Sequence, residues 1–88
     1  MIEHQDPPED PERWLQDLGI EPTAWTAGAG THFAEHSHAQ PKRLFVRSGS
    51  ISFNGHWLRA PAAIRIPAGL EHSADVGDAG VECVEGFE

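Results

Sequence analysis

The sequence has little cysteine, little positive charge and no long apolar run. Cys83 is the only cysteine among 88 residues, so an intrachain disulfide cannot form and a cysteine-rich zinc site is excluded. No apolar stretch approaches the about 18 residues of a membrane-spanning helix. The first ten residues, MIEHQDPPED, are acidic and lack an apolar segment, so we do not expect them to be a signal peptide. We therefore expect a cytoplasmic protein with no membrane partner.

The scarcity of positive charge argues against nucleic acid as a partner. The chain has six Lys and Arg residues against 14 Asp and Glu residues, a net charge of -8. Five of the six basic side chains fall between residues 36 and 70, where no acidic side chain occurs. Binding to phosphates needs clustered Lys and Arg, and these five are too dispersed for that purpose.

The N-terminal part predicts one short helix after a loose tail. Residues 1–9 carry no regular pattern and are expected to be a tail. The following stretch, DPERWLQDLG, has Asp10 as N-cap, Pro11 at the first helical position and Gly19 at the exit. Its Trp, Leu and Leu side chains form an apolar stripe. We expect this stripe to cover an edge or an open end of the domain formed by the rest of the chain.

From Trp25 onward the pattern is typical of short strands and turns. Asn54-Gly55 favours a two-residue hairpin turn, with Phe53 opposite His56 and strands at about 44–53 and 56–60. Many short strands with a single helix indicate an all-β sandwich or barrel. We divide the chain into residues 1–22, the tail and helix, and residues 23–88, a β-barrel domain. A chain this short has a modest core, and we expect a homodimer.

The stretch EHSHAQPKRLFVRSG contains two histidines one residue apart. Residues two apart on a strand point to the same side, so His36 and His38 can bind one cation together. His72 is available as a further ligand. Three neutral imidazoles suit Fe, Zn, Ni, Cu or Co better than Mg or Ca. From spacing alone, a metal site and a chance pair of histidines both remain open.

Two motifs resemble those of the cupin superfamily, and the resemblance covers roughly residues 23–88. The first family motif is Gly, five residues, His-x-His, three or four residues, Glu, six residues, Gly. The segment GTHFAEHSHAQPKRLFVRSG has its two glycines and two histidines in that register. The second motif, Pro-x-Gly-x-x-His, is supplied by IPAGLEH and ends at His72. The resemblance implies a cupin-type jelly-roll β-barrel, often dimeric, with His36, His38 and His72 as metal ligands inside the barrel.

The chain departs from the first motif at one position, because Lys42 occupies the place of the glutamate. An ammonium beside a dication is repulsive and loses water on burial. Lys42 can swing outward, stay inside as a neutral amine, or pair with an acidic group or an anionic ligand while the metal is weakly held or absent. We expect the outward swing, because Pro41 marks a bend near the barrel rim. Lys42 and Gln40 are the residues expected to contact a substrate.

These features lead to three hypotheses about function. The first is a small metal-binding cupin of unassigned activity, with a three-histidine dioxygenase acting on a small organic molecule as its leading chemistry. The second is a non-enzymatic module that binds or senses a metal or a small, anionic ligand. The third is a degenerate cupin without metal. No catalytic acid or base is visible, so the sequence does not decide whether the protein is an enzyme.

Overall fold

Seven strands and one short helix make up the chain, and the computed structural model describes all 88 residues. In chain order the elements are β1 (Glu3–Gln5), α1 (Pro11–Asp17), β2 (Thr23–Ala27), β3 (His32–His36), β4 (Lys42–Phe53), β5 (His56–Arg59), β6 (Ala62–Ile66) and β7 (His72–Phe87). Every strand pairing is antiparallel. The predicted all-β class, a jelly-roll β-barrel with one helix, is confirmed.

The long strands β4 and β7 pair with each other and run through both faces of the barrel. The first half of β4 pairs with β6, and on its other side with the second half of β7. The second half of β4 pairs with β5 and with the first half of β7. Strand β3 adds to the first half of β7, and β2 adds to the second half. Two four-stranded faces result, with β1 on the outer edge of β6.

Gly49 allows β4 to pass from one face to the other. Its φ is 76°, a left-handed conformation that glycine adopts without steric cost. It pairs with Val81 of β7, where the register is irregular. A Cβ atom at Gly49 would collide with the backbone oxygen of Gly80. The glycine near the end of the first motif is therefore required by the crossing of two strands.

The apolar core lies between the two faces. Cys83 is fully buried within it, and desolvation raises the pKa of its thiol to about 12. The cysteine is thus a packing residue, because the desolvation of its buried thiol outweighs the opposing effect of the charge on Lys42. Eleven buried residues from four strands form this core: Leu44, Val46, Ile51, Phe53, Leu58, Ile64, Ile66, Ala74, Val76, Val81 and Cys83.

The helix begins as predicted, but it packs on the outer face of the barrel and not on the edge or open end that was expected. Asp10 is the N-cap, and its Oδ1 accepts a hydrogen bond from the backbone N–H of Arg13 at 3.1 Å. Leu15 is fully buried and packs with Ile20 and with Val84 of β7. Leu15 of the apolar stripe therefore lies over the outer side of β7, whereas Leu18 is exposed. At seven residues the helix is short, and no helix here has the length and hydrophobicity needed to cross a bilayer.

The hairpin prediction is confirmed and the tail prediction is wrong. Asn54 and Gly55 both have positive φ, and Phe53 pairs with His56. Glu3–Gln5, expected in a loose tail, instead pair with Ala63–Arg65 of β6. This pairing provides partners for the backbone N–H and C=O groups at the edge of β6. Because it uses the backbone, the added strand needs no alternation of apolar and polar side chains. The division between residues 22 and 23 stays a prediction, although β1 shares the barrel's sheet.

Candidate metal centre

The rings of His36, His38 and His72 converge on one region at the end of the barrel. Their centroids are 4.8 Å apart for the first two, 4.4 Å for His36 and His72, and 5.0 Å for His38 and His72. One ligand nitrogen from each ring lies within 4.8 Å of the others. Two segments more than thirty residues apart therefore meet in a cluster able to hold a metal ion. Ligation itself stays a prediction.

A β-bulge in β3 brings His36 opposite His72. Phe33 pairs with Ala74, but His36 pairs with His72, so β3 contains one residue more than β7 between the two pairs. An extra residue of this kind changes the side to which the following side chains point. Both Phe33 and His36 accordingly face the same cavity, although they are three residues apart. Strict alternation along β3 would instead have pointed Glu35 toward His72.

Backbone carbonyls orient two of the three rings. The Nδ1 of His36 lies 2.7 Å from the carbonyl oxygen of Ala34, and the Nδ1 of His72 lies 2.8 Å from that of Leu70. A carbonyl only accepts hydrogen bonds, so each Nδ1 carries the proton. In the tautomer with the proton on Nδ1, the Nε2 of each ring is free to bind a metal. This is the arrangement in which protein histidines bind metals.

His38 is held by the turn that precedes the third histidine. Strand β3 ends at His36, and the carbonyl of His38 accepts a hydrogen bond from the backbone N–H of Gly69 at 2.8 Å. The two sequence motifs are therefore joined directly by their backbones. On its other side the His38 ring packs edge-on against Phe87, with 5.2 Å between centroids. This contact comes from the last strand of the barrel.

The environment keeps two of the rings neutral. Desolvation is the largest cause that lowers the pKa of His38, followed by the positive charge of Lys42. Desolvation also lowers the pKa of His72, although the hydrogen bond to Leu70 acts in the opposite direction. Both rings are thus uncharged near pH 7. A neutral imidazole is the form that coordinates a metal.

The donor set fits a transition metal. The Nδ1 of His38 and the Nε2 of His72 are buried and have no hydrogen-bond partner. Buried polar atoms are normally paired, and a metal ion would provide the missing partner. Zinc lies about 2.0–2.1 Å from histidine nitrogens, so two ligands of one ion are at most about 4.2 Å apart. The widest pair here, at 4.8 Å, would have to close by at least about 0.6 Å on binding, a displacement within the range of side-chain rotation.

Lys42 lies inside the barrel, and the expected outward swing is wrong. Its side chain is 13% exposed, and its Nζ lies 3.2 Å from Oε2 of Glu85. The ion pair compensates for the desolvation that was expected to drive the ammonium out. The ring of Phe87 lies 5.2 Å from the same Nζ and adds a cation–π attraction. The third arrangement considered from sequence joined an acidic partner for Lys42 to a weakly held or absent metal. Its acidic partner is observed, and its statement about the metal stays a prediction.

Glu85 is a site residue that the sequence analysis missed. It lies on β7 with its side chain 17% exposed, and its Oε1 also accepts a hydrogen bond from Nε1 of Trp25 at 2.8 Å. Alternation along the strand could have indicated it, because Glu85 follows Cys83 by two residues and the two side chains therefore point to the same, inner face. A carboxylate is therefore present near the cluster, supplied by a different strand from the family glutamate.

A cavity of about 170 Å³ lies beside the cluster. Its wall is mostly apolar or aromatic, and its polar groups are the two histidine rings and the Lys42–Glu85 pair. The lining residues are Trp25, Phe33, His36, Lys42, Leu44, Ile51, Phe53, His72, Ala74 and Glu85. His72 is buried, whereas His36 is exposed at the open end. A small ligand can therefore reach the cluster and the ion pair together.

Gln40 is exposed in the bend between β3 and β4 and is not part of the cavity wall. Its contact with a substrate stays a prediction. His32, expected at the surface, is exposed and its Nδ1 lies 2.7 Å from Oδ1 of Asp75. Glu35 is exposed, and a hydrogen bond with Glu71 raises the pKa of its carboxyl group. None of these residues joins the histidine cluster.

Comparisons with known proteins find likeness in structure only. No protein-family model matches the sequence, and no curated protein matches it. An RmlC-like cupin from Shewanella frigidimarina NCIMB 400 superposes with a TM-score of 0.68 at 18% identity, over 77% of this chain and 64% of that one. An acetylacetone dioxygenase from Acinetobacter johnsonii superposes with a TM-score of 0.68 at 21% identity, over 98% of this chain and 58% of that one. A cupin domain from Bordetella pertussis Tohama I superposes with a TM-score of 0.57 at 15% identity, over 100% of this chain and 92% of that one.

The chain thus spans less than two thirds of the length of the first and second of these three structures. At such identities the likeness establishes the fold. It agrees with the strand order and with the resemblance carried by the two histidine motifs. The chain is therefore a small domain with the jelly-roll β-barrel fold of the cupin superfamily.

Proposed function

We propose that this domain binds one transition metal through His36, His38 and His72 and uses it in a dioxygenase reaction on a small organic molecule. The observation that carries the proposal is the pair of buried, unpartnered nitrogens in a cluster of three converging rings. Such atoms are costly unless a ligand satisfies them. Iron, zinc, nickel, copper and cobalt all accept imidazole ligands, and iron suits oxygen chemistry best.

The metal, when bound, would act as a Lewis acid toward oxygen atoms of the substrate. Three neutral ligands leave the full positive charge of a divalent ion in place, which favours a chelating anion. The protein would contribute an apolar cavity that restricts the access of water and a positive charge on Lys42. β-Diketones are the first substrates to test, because one structural neighbour is an acetylacetone dioxygenase.

A non-enzymatic binding module is the second candidate. The observation in its favour is that the only carboxylate in the cavity, Glu85, is already paired with Lys42 and with Trp25. A general base has to be within reach of the proton that it abstracts and free to accept it. A cavity without such a group can bind or sense a small anion, or a metal, without changing it.

Metal analysis of protein purified without a histidine tag tests the shared part of both candidates. We expect one transition metal ion per chain in the wild type after reconstitution. His36→Ala and His72→Ala should lose it, whereas His32→Ala, an exposed histidine on the same strand as His36, should keep it. A wild type that binds none of the five metals would leave the degenerate cupin as the answer.

Oxygen consumption separates the enzyme from the binder. The iron-loaded protein is mixed with β-diketones, thiols or phenols, and dissolved oxygen is followed with an electrode. Consumption that depends on both substrate and His72 supports the dioxygenase. Metal binding with unchanged oxygen concentration across these substrates supports the binding module.

A further inference from the structure

Lys42 is the only lysine in the sequence, and its ammonium group has an unused hydrogen-bond donor in the cavity. An ammonium has three N–H donors and no acceptor. Its only acceptors here are the two oxygens of Glu85, at 3.2 and 3.4 Å from Nζ. The aromatic ring of Phe87 attracts the cation but offers no lone pair of this kind. At least one N–H therefore remains available in a site to which water has little access.

Glu85 fixes the position of this ammonium. Its carboxylate is tied at Oε1 to the indole N–H of Trp25 at 2.8 Å, and Trp25 in turn packs edge-on against Phe33 with centroids 5.7 Å apart. A flexible lysine chain is thus attached to a rigid aromatic wall. The attraction between Lys42 and Glu85 also offsets the desolvation of the ammonium, so burying it costs less than burying an isolated ammonium.

We propose that Lys42 is the anion-binding residue of this cavity, that Glu85 positions it, and that the ligand is a small monoanion with an apolar body. The inference rests on the proposed function, since the histidine centre supplies the second point of contact. It identifies the role of the lysine that replaces the expected glutamate: the position that would have bound the metal instead binds the ligand's negative charge.

The cavity limits both the size and the charge of the ligand. A volume of about 170 Å³ corresponds to about six water-sized groups, which suits a branched acid of a few carbon atoms. Most of the wall is apolar, and burying a second ionised group against it without a partner would be costly. A dianion is therefore excluded unless the metal neutralises its other charge.

The experiment compares 3-methylbutanoate with 3-methylbutanamide, which has the same shape and no charge. Binding of each probe is measured by calorimetry at pH 7 in the wild type, both metal-loaded and metal-free. A hydrogen bond between charged groups contributes about ten- to a hundredfold in affinity. We expect the carboxylate to bind at least about tenfold more tightly than the amide in the loaded protein.

Variants separate Lys42 from the metal as the source of this preference. Lys42→Met should reduce the preference about tenfold or more while metal affinity stays equal or rises, because a like charge has been removed. Lys42→Met alone leaves the partly buried Glu85 carboxylate without its ion-pair partner and could prevent folding. The double variant Lys42→Met with Glu85→Gln removes both charges and keeps an acceptor for the indole N–H of Trp25. Lys42→Arg should retain the preference. Arg59→Met, on the exposed side of β5, is the matched control for net charge.

A spectroscopic signal reports the contact directly. Because the chain has one lysine, ¹³C-labelled lysine gives one Cε resonance, which should shift on titration with the carboxylate and stay unchanged with the amide. The inference is overturned if the wild type binds the carboxylate no more tightly than the amide. It is also overturned if the preference survives in both the single and the double Lys42→Met variants. Neither result affects the proposal that the histidines bind a metal. If no metal binds, the proposed function fails. The same comparison on metal-free protein, supported by the Cε shift, then decides the role of Lys42 by itself.

Discussion

Replacement of His72 by leucine should have opposite effects on stability with and without metal. His72 is 1% exposed, and its Nε2 has no hydrogen-bond partner. Leaving such an atom unsatisfied costs about 1–3 kcal/mol, whereas the lost hydrogen bond from Nδ1 to Leu70 contributes about 1 kcal/mol. In metal-free protein His72→Leu should therefore raise the free energy of unfolding by about 0–2 kcal/mol.

In the presence of metal, His72→Leu should instead lower the free energy of unfolding relative to the wild type. A ligand that binds only the folded state at a hundred times its dissociation constant stabilises by about 2.7 kcal/mol. One kcal/mol corresponds to about 4–8 °C in a domain of this size, so saturating metal should raise the wild-type Tm by about 11–22 °C. His72→Leu should lose most of this increase, because it removes the most deeply buried of the three ligands.

The assay is thermal unfolding followed by circular dichroism, in chelator and in excess zinc, with His32→Leu as the control. The control changes an exposed histidine outside the cluster and should keep the full metal-dependent increase. A loss of more than about 2 kcal/mol for His72→Leu in chelator would mean that Nε2 is already satisfied. An equal zinc-dependent increase in wild type and His72→Leu would place the metal elsewhere.

Four further predictions concern stability and assembly. Leu15→Ala should lower the free energy of unfolding by about 2–4 kcal/mol, measured by urea titration, because the side chain is fully buried. Gly49→Ala should destabilise by more than about 1 kcal/mol in the same assay, since φ is 76° and Gly80 blocks the added Cβ. Hydrogen bonds from Arg65 and Arg43 lower the pKa of Glu88 from 4.5 to about 2. The stability that they provide is complete above pH 4.5 and is lost as the pH falls through 2, so acid titration should show a weaker loss in Glu88→Gln. Light scattering should give twice the 9.6 kDa chain mass if the chain is the expected homodimer; a mass near 9.6 kDa would contradict this.

Much of the fold could be predicted because several signals are local. The Asn54-Gly55 turn determines its own register, and the capping aspartate Asp10 with the following proline defines where the helix begins. The three histidines were identified by the same means, since their spacing within two short motifs is visible in the sequence. Their convergence follows from those motifs only through the family resemblance.

The features that the sequence did not predict depend on contacts between distant segments. Strand β1 has no alternating pattern of its own and is defined by the edge of β6 that it completes. The bulge that aims His36 at His72 appears only in the register between two strands. The inward position of Lys42 depends on Glu85, which lies 43 residues later in the chain. A charged side chain is expected to remain in water until a buried partner is known.

X-ray absorption at the metal edge of the reconstituted protein tests the central claim most directly. The claim predicts a spectrum with three imidazole ligands at about 2.0–2.1 Å for zinc, reduced to two in His38→Ala and unchanged in His32→Ala. A spectrum with no imidazole scattering, or one that is identical in wild type and His38→Ala, would contradict it.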